Sequence, residues 1–230
     1  MSFPLIAVYA ATSGAALALV SRFLRRISLL WAIALALLPL AVTGKAVVTG
    51  GYFGPLNLAY AASPLAAQGG PALHRDYGNG LLTDVAFQMV PWKAAVRRDL
   101  LAGRAPLWNP FILCGDVLAG AGQSAPFHPA TLIGLLLPLA EARTLEATLA
   151  LLLGALCAFV FLRDLELAPV FAFFGASVWM LSFHFLFWTG WPQAQSFAPL
   201  PLMVAGARRI ARGERGGFGA ASAALFLALV

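Results

Sequence analysis

The sequence predicts an all-α, polytopic transmembrane helical bundle with a long extracytoplasmic loop containing interfacial helices, and three observations carry that expectation. Hydrophobic residues fill 61% of the 230 positions and charged residues only 10%, with a mean hydropathy of +0.84, whereas an ordinary soluble domain is about 25% charged. A water-soluble fold of this size has too little interior to hide that much apolar surface. Several apolar runs approach the ~20 residues a helix needs to cross ~30 Å of hydrocarbon. The basic residues, finally, stand at the ends of those runs.

That last point decides what the net charge of +6 means. Arg22, Arg25 and Arg26 follow the first run, and Arg208, Arg209, Arg212 and Arg215 follow a later one. This is the pattern of loops retained in the cytoplasm. The bases are neither spread along an amphipathic face nor interleaved with stacking aromatics, so no nucleic-acid partner is expected. Cys157 falls inside a predicted membrane helix and Cys114 in a polar loop, a separation that argues against a disulfide. The start, Met1-Ser2-Phe3-Pro4, lacks the positive segment of a signal peptide, so the first run is kept as structure.

The runs place helices at 3–20, 27–48, 145–162, 170–188 and 197–207, the last with a start that can reach back to Trp191. A further run, 218–230, is too short to span where the sequence stops, so the chain is expected to be part of a longer one. Three regions follow: 1–48 with two transmembrane helices, 49–143 as the loop, and 144–230 with further spans. With Arg22–Arg26 in the cytoplasm, counting crossings returns the chain inside at Arg163 and again at Arg208–Arg215. The loop is then outside, where long segments cross regardless of their bases.

Phe127 to Leu139 is apolar but short, which predicts a re-entrant or interfacial segment. Trp179, Trp188 and Trp191, with Phe183, Phe185 and Phe187, are expected to form an aromatic belt at the outer end of one helix.

Four of the nine acids, Asp76, Asp84, Asp99 and Asp116, lie in the part of the loop from Thr49 to Pro126. The spanning runs are expected to offer no ionisable group except His184 near one end, which argues against mid-membrane ion coupling and directs attention to the outer surface. Within the loop, Pro91 can open a helix that Gly103 closes. Trp92, Val96 and Leu100 recur at helical spacing as one apolar stripe beside Lys93, Arg97 and Arg98. Such a helix either lies on the membrane with its bases near lipid phosphates or is simply solvated. Asp84 precedes it, with Gln88 one turn on. A carboxylate there can accept a proton from a hydroxyl or hold a divalent cation. The Gly, Pro and Asn of residues 104–129 specify a bent, non-helical path.

The string from Asp84 to Pro129 contains Asp-x3-Gln-x2-Pro-Trp, then Leu-Leu-Ala-Gly-Arg-x-Pro-Leu-Trp-Asn-Pro, and then Gln-Ser-Ala-x-Phe-x-Pro. Over these 45 or so residues the chain resembles the bacterial YfhO-like membrane proteins, and more loosely so through Trp188 to Pro201. That family looks like a branch of the GT-C glycosyltransferases, multi-spanning enzymes that use polyprenyl-phosphate-linked sugars.

The resemblance implies a GT-C-like bundle in the bacterial cytoplasmic membrane, moving a sugar from a polyprenyl-phosphate carrier to an envelope glycan, lipid or protein on the extracytoplasmic side. By motif position Asp84 is the implied catalytic acid-base residue or ligand of a divalent cation (Mg or Mn). Gln88, Lys93, Arg97, Arg98, Trp108, Asn109, Gln123 and His128 are the implied substrate-binding set, with the bases neutralising the carrier phosphate and Trp108 either stacking on a sugar or packing. The chain departs from the pattern at Ala121-Gly122, where relatives show Asn-Pro, and in its extra N-terminal helix. The rival expectation is a non-enzymatic protein, a transporter of lipid-linked intermediates or an accessory subunit.

Overall fold

The computed structural model describes residues 2–61, 64–68 and 79–229, and of the loop acids Asp76 lies outside them. The chain is mostly helical. Two helices are long and apolar enough to cross a membrane, α1 (Phe3–Phe23) and α6 (Leu139–Asp164), and a third span is reached if the bent pair α2 (Leu29–Leu37) and α3 (Leu40–Thr49) counts as one. At 1.5 Å per residue, α1 and α6 extend about 32 and 39 Å. Ser2 caps α1 by accepting from Leu5 N, and its own N–H donates to Val48 O at 2.9 Å, tying the start of α1 to the end of α3.

Several expected boundaries are corrected. The run 27–48 is not one straight helix but bends by 68° between α2 and α3. Pro39 sits at that break, where its missing N–H and its ring remove a helical hydrogen bond. The run 170–188 divides into α7 (Pro169–Met180) and α8 (Phe183–Trp188), with Ser182 extended between them. The run 197–207 divides at Pro199 into α9 (Pro192–Phe197) and α10 (Leu200–Ala211), and α11 follows over Gly217–Leu229. Helix α6 begins six residues before the expected Leu145, so the border drawn at 143 falls inside it. Glu141, Arg143 and Glu146 all lie within it.

In the loop, a π-helical turn (Val85–Met89) runs straight into α4 (Val90–Leu101), and Gly103 just beyond it takes a left-handed φ of 69°. The bent stretch that follows forms a small antiparallel hairpin, β1 (Trp108–Asn109) on β2 (Asp116–Val117). Gly115 turns it with φ 115°, and a Cβ there would lie 2.5 Å from the Trp108 ring, so only glycine lets that ring lie down. The short apolar segment becomes α5 (Pro129–Gly134), too short to cross anything.

Helix α6 is the axis. Its Ala150, Ala155, Ala158 and Phe159 pack against Ala172, Ala176 and Met180 of α7, Phe185 of α8 and Ala194 of α9. Small residues let these backbones approach closely. Arg209 of α10 clamps Asp164 bidentately, at 2.6 and 2.8 Å, and also donates to Leu24 O at 3.2 Å. The ends of α1, α6 and α10 are thereby held together, so the Arg22–Arg26 and Arg208–Arg215 clusters share one end of the structure. At the opposite end, Thr144 Oγ1 accepts from Phe53 N and donates to Gly51 O, fastening the loop to α6.

Gly206 marks a close backbone crossing of α10 and α11, because a Cβ there would lie 2.6 Å from Ala221 N. Gly206→Leu is expected to cost about 1–3 kcal/mol by overpacking, lowering the thermal midpoint of the purified protein in a size-exclusion melting assay. Gly14→Ala, which meets nothing within 4 Å, is expected to leave that midpoint unchanged.

Candidate functional site

Asp84 is exposed, and its Oδ1 accepts from the amide of exposed Gln88 at 3.5 Å. The π-helical turn that carries Gln88, and that Asp84 immediately precedes, is anchored from below. Val85 and Met89 are buried with Trp191, and Tyr52, Leu82, Trp92 and Trp188 close around them. Val85 lies so close to Gly190 that a Cβ there would be 2.7 Å from its methyl. Trp188 and Trp191 meet edge to face at 5.3 Å, and Phe187 stacks on Trp191 at 5.9 Å. The carboxylate therefore stands on a rigid aromatic ledge. That arrangement changes the expected belt, since Trp191 and Phe185 are 7% and 0% exposed and belong to the interior.

Beneath the ledge lies a buried ionic cluster that the sequence reading overlooked. Lys93 pairs with Glu146 of α6 at 3.3 Å and donates to Thr131 of α5 and to Ala125 O. Glu146 also pairs with Arg143, whose guanidinium donates to Gly190 O at 2.7 Å in the turn between α8 and α9. Tyr52 lies alongside Arg143. Lys93, Arg143 and Glu146 are all 7% exposed or less, so two cations share one carboxylate in a dry setting. Burial pushes the Lys93 ammonium down to about 8, against the pull of Glu146, which leaves it mostly charged near neutral pH. Burial, aided by the Lys93 charge, pushes His128 down to about 4, so its ring is neutral.

The expectation of spans without ionisable groups is thus corrected. Lys45 lies in α3, and Glu146 stands one residue inside the run expected to span. A lone acid amid apolar residues was the signal for it, because such groups are costly and persist with a partner.

The predicted substrate-binding residues fall into two sets. Gln88 and Gln123 are exposed, and Trp108 is 54% exposed with its ring over Gly115. The others are engaged internally. Lys93 faces the core instead of lipid, and Arg97 donates to Gly134 O and Leu135 O, capping α5. Arg98 pairs with Asp99 at 3.0 Å and covers the Phe111 ring at 4.8 Å. Asn109 is buried and forms a local turn by accepting from Phe111 N. His128 caps α5 through Nδ1, which accepts from Ala130 N. The stripe expected to rest on a membrane lies on the protein instead, with Val96 buried against Leu118. Asp99, with Arg104 and Arg98 hydrogen-bonded to it, is held below the usual carboxylate range.

Asp84 and Gln88 bring three side-chain oxygens, fewer than the six of a magnesium shell, and among the described residues no group of three or more His, Cys, Asp or Glu side chains converges. The pair by itself does not make a cation site. The cysteines are both free, Cys114 exposed and Cys157 buried. No protein-family model, curated protein or solved structure matches this chain.

Removing one partner of a buried charge cluster costs about 3–5 kcal/mol. Glu146→Gln, which strands two cations, is expected to destabilise in that range and more than Lys93→Met, which leaves the Arg143–Glu146 pair intact; urea or thermal melting in detergent ranks the two. His128 supplies a pH signature. Its pKa is lower folded than unfolded, so the unfolded chain binds more protons between about 6.5 and 4. Stability is complete above that window and lost as pH falls through it. His128→Asn, which can keep the cap, should flatten the decline of the melting midpoint between pH 7 and 4.5.

Proposed function

We propose that this chain acts in a GT-C-like membrane glycosyltransferase of the bacterial cytoplasmic membrane, related to the YfhO-like proteins it resembles. It moves a sugar from a polyprenyl-phosphate carrier to an envelope glycan, lipid or protein. The observation that carries the reading is the solvent-reachable Asp84 carboxylate fixed on an aromatic ledge at the end of the bundle opposite the arginine clusters. Those clusters favour the cytoplasmic side, which supports an outer position for Asp84. π-Helical turns often occur at functional positions, and this one carries Gln88 one turn beyond Asp84, the residue that precedes it.

In the reaction, Asp84 takes the proton of an acceptor hydroxyl as its oxygen bonds to the anomeric carbon of the sugar. The bond from that carbon to the carrier phosphate oxygen breaks, and the phosphate leaves with the electron pair. Gln88 orients the carboxylate, and Trp108 offers an exposed ring to a sugar face. Lys93, Arg97 and Arg98 position the loop instead of touching the phosphate. Their internal engagement also favours a second reading, a protein that binds or moves lipid-linked intermediates without transferring the sugar.

Asp84→Asn is expected to lower sugar transfer by 10²–10⁴-fold while the protein stays inserted and folded. Glycan incorporation in membranes from a deletion strain complemented with the variant measures this. Undiminished transfer removes the base role, and carrier movement in proteoliposomes without transfer selects the second reading.

A further inference from the structure

Two adjoining cavities lie between α1 and α2. One, of about 660 Å³, is lined by Ala18, Ser21, Arg22, Arg26, Ile27 and Ser28. The other, of about 540 Å³, continues from it along Ala10, Ser13, Gly14, Ala32 and Ala36. Ala18, Ser21 and Ile27 line both, so the two form one groove with a basic mouth and an apolar body. Small side chains open that body, and an added Cβ at Gly14 would meet nothing within 4 Å. The serine hydroxyls do not make it polar. Ser13 donates to Ala10 O at 3.1 Å and Ser21 accepts from Ile27 N at 3.2 Å, both satisfied within the chain.

The mouth is different. Arg25 pairs with Asp164 at 3.8 Å, but among the described residues Arg22 and Arg26 have no acidic partner. Arg22 lies over the Phe23 ring at 5.4 Å. Two cations without counter-charges among the described residues thus stand where an open apolar groove begins. From Ala10 to Ser21 the groove follows about 16 Å of helix, half the ~30 Å of a bilayer core. That is the depth of one leaflet.

We propose that this groove binds one anionic phospholipid, with an acyl chain along the α1–α2 seam and the phosphate between Arg22 and Arg26. Net-anionic headgroups suit the mouth better than zwitterionic ones, whose ammonium would face the same two cations; basic pockets between membrane helices recognise anionic lipid in this way. The site lies at the end opposite Asp84 and does not depend on sugar transfer.

The test uses the full chain, reconstituted in nanodiscs of equal phosphatidylglycerol and phosphatidylcholine with matched acyl chains, then released and weighed by native mass spectrometry. One phosphatidylglycerol is expected to stay bound in preference to phosphatidylcholine. Arg22→Gln with Arg26→Gln should reduce that retention roughly thirty-fold, the effect of two surface cations. Arg212→Gln with Arg215→Gln, exposed at the same end but outside the groove, should change nothing. Gly14→Phe fills the apolar body with both arginines in place and should also release the lipid, so the groove is tested even if the arginine variant fails to fold. Equal retention of both lipids overturns the proposal. So does an equal loss in the Arg212/Arg215 variant, unchanged retention in Gly14→Phe, or a second copy of the chain occupying the seam.

Discussion

The pairing of Glu146 with Lys93 and Arg143 is the interaction on which the placement of the loop depends. A charge taken out of water costs several kcal/mol unless a partner and further hydrogen bonds replace its solvent, so Lys93 and Arg143 each depend on Glu146 for their burial. Satisfying them fixes four pieces of chain at one point. Lys93 brings α4, Thr131 brings α5, Arg143 and Glu146 belong to α6, and Gly190 O brings the turn before α9. The aromatic ledge under Asp84 follows from this, because α4 continues the π-helical turn and the Gly190 turn carries Trp188 and Trp191.

The cluster has a counterpart at the other end of the same helix, where Asp164 is held by Arg209 and approached by Arg25. Eighteen residues separate Glu146 from Asp164, about 27 Å of helix, close to the ~30 Å of a bilayer core. Between them α6 is apolar until Arg163. The charges therefore stand at the two edges of an apolar span and not at its middle. Glu146 tells a different story from the buried acids of ion-coupled transporters: it joins loop to helix at a boundary where a carboxylate is less costly than at the midplane.

Much of the helical layout was legible because composition and run length report directly on burial in lipid. The ends of α1, the short α5 and the helix over Val90–Leu101 follow from caps, prolines and spacing that act locally. The kink at Pro39 and the break at Pro199 were written in the sequence too, but hydropathy averaged over a window passes over a single proline. Glu146 escaped notice for the same reason, one acid diluted by seventeen mostly apolar neighbours. Lys93, Arg97 and Arg98 were legible as a basic face of a helix. What no local pattern gives is which way that face turns, since it is settled by Glu146 and by the carbonyls of Gly134 and Leu135, more than thirty residues away.

That turning changes what the candidate site can be. A face of three free bases would bind a carrier phosphate wherever it approached, and the carboxylate would need only to be nearby. With the three bases committed, the loop offers a carboxylate and an amide on top, aromatic rings beneath, and cations consumed in holding the platform still. Among the described residues of the loop, Arg104, 60% exposed in its side chain and hydrogen-bonded to Asp99 at 2.8 Å, is a cation with most of its surface open to water. Under the proposed reading, a ligand at Asp84 would be recognised first by shape and hydrogen bonding, the manner in which a neutral polyhydroxyl group is held, and a phosphate on it would find its counter-charge at the rim. Rigidity of the ledge matters more under that arrangement than surface charge, because hydrogen bonds to a hydroxyl lose their value within a fraction of an ångström whereas attraction to a cation does not.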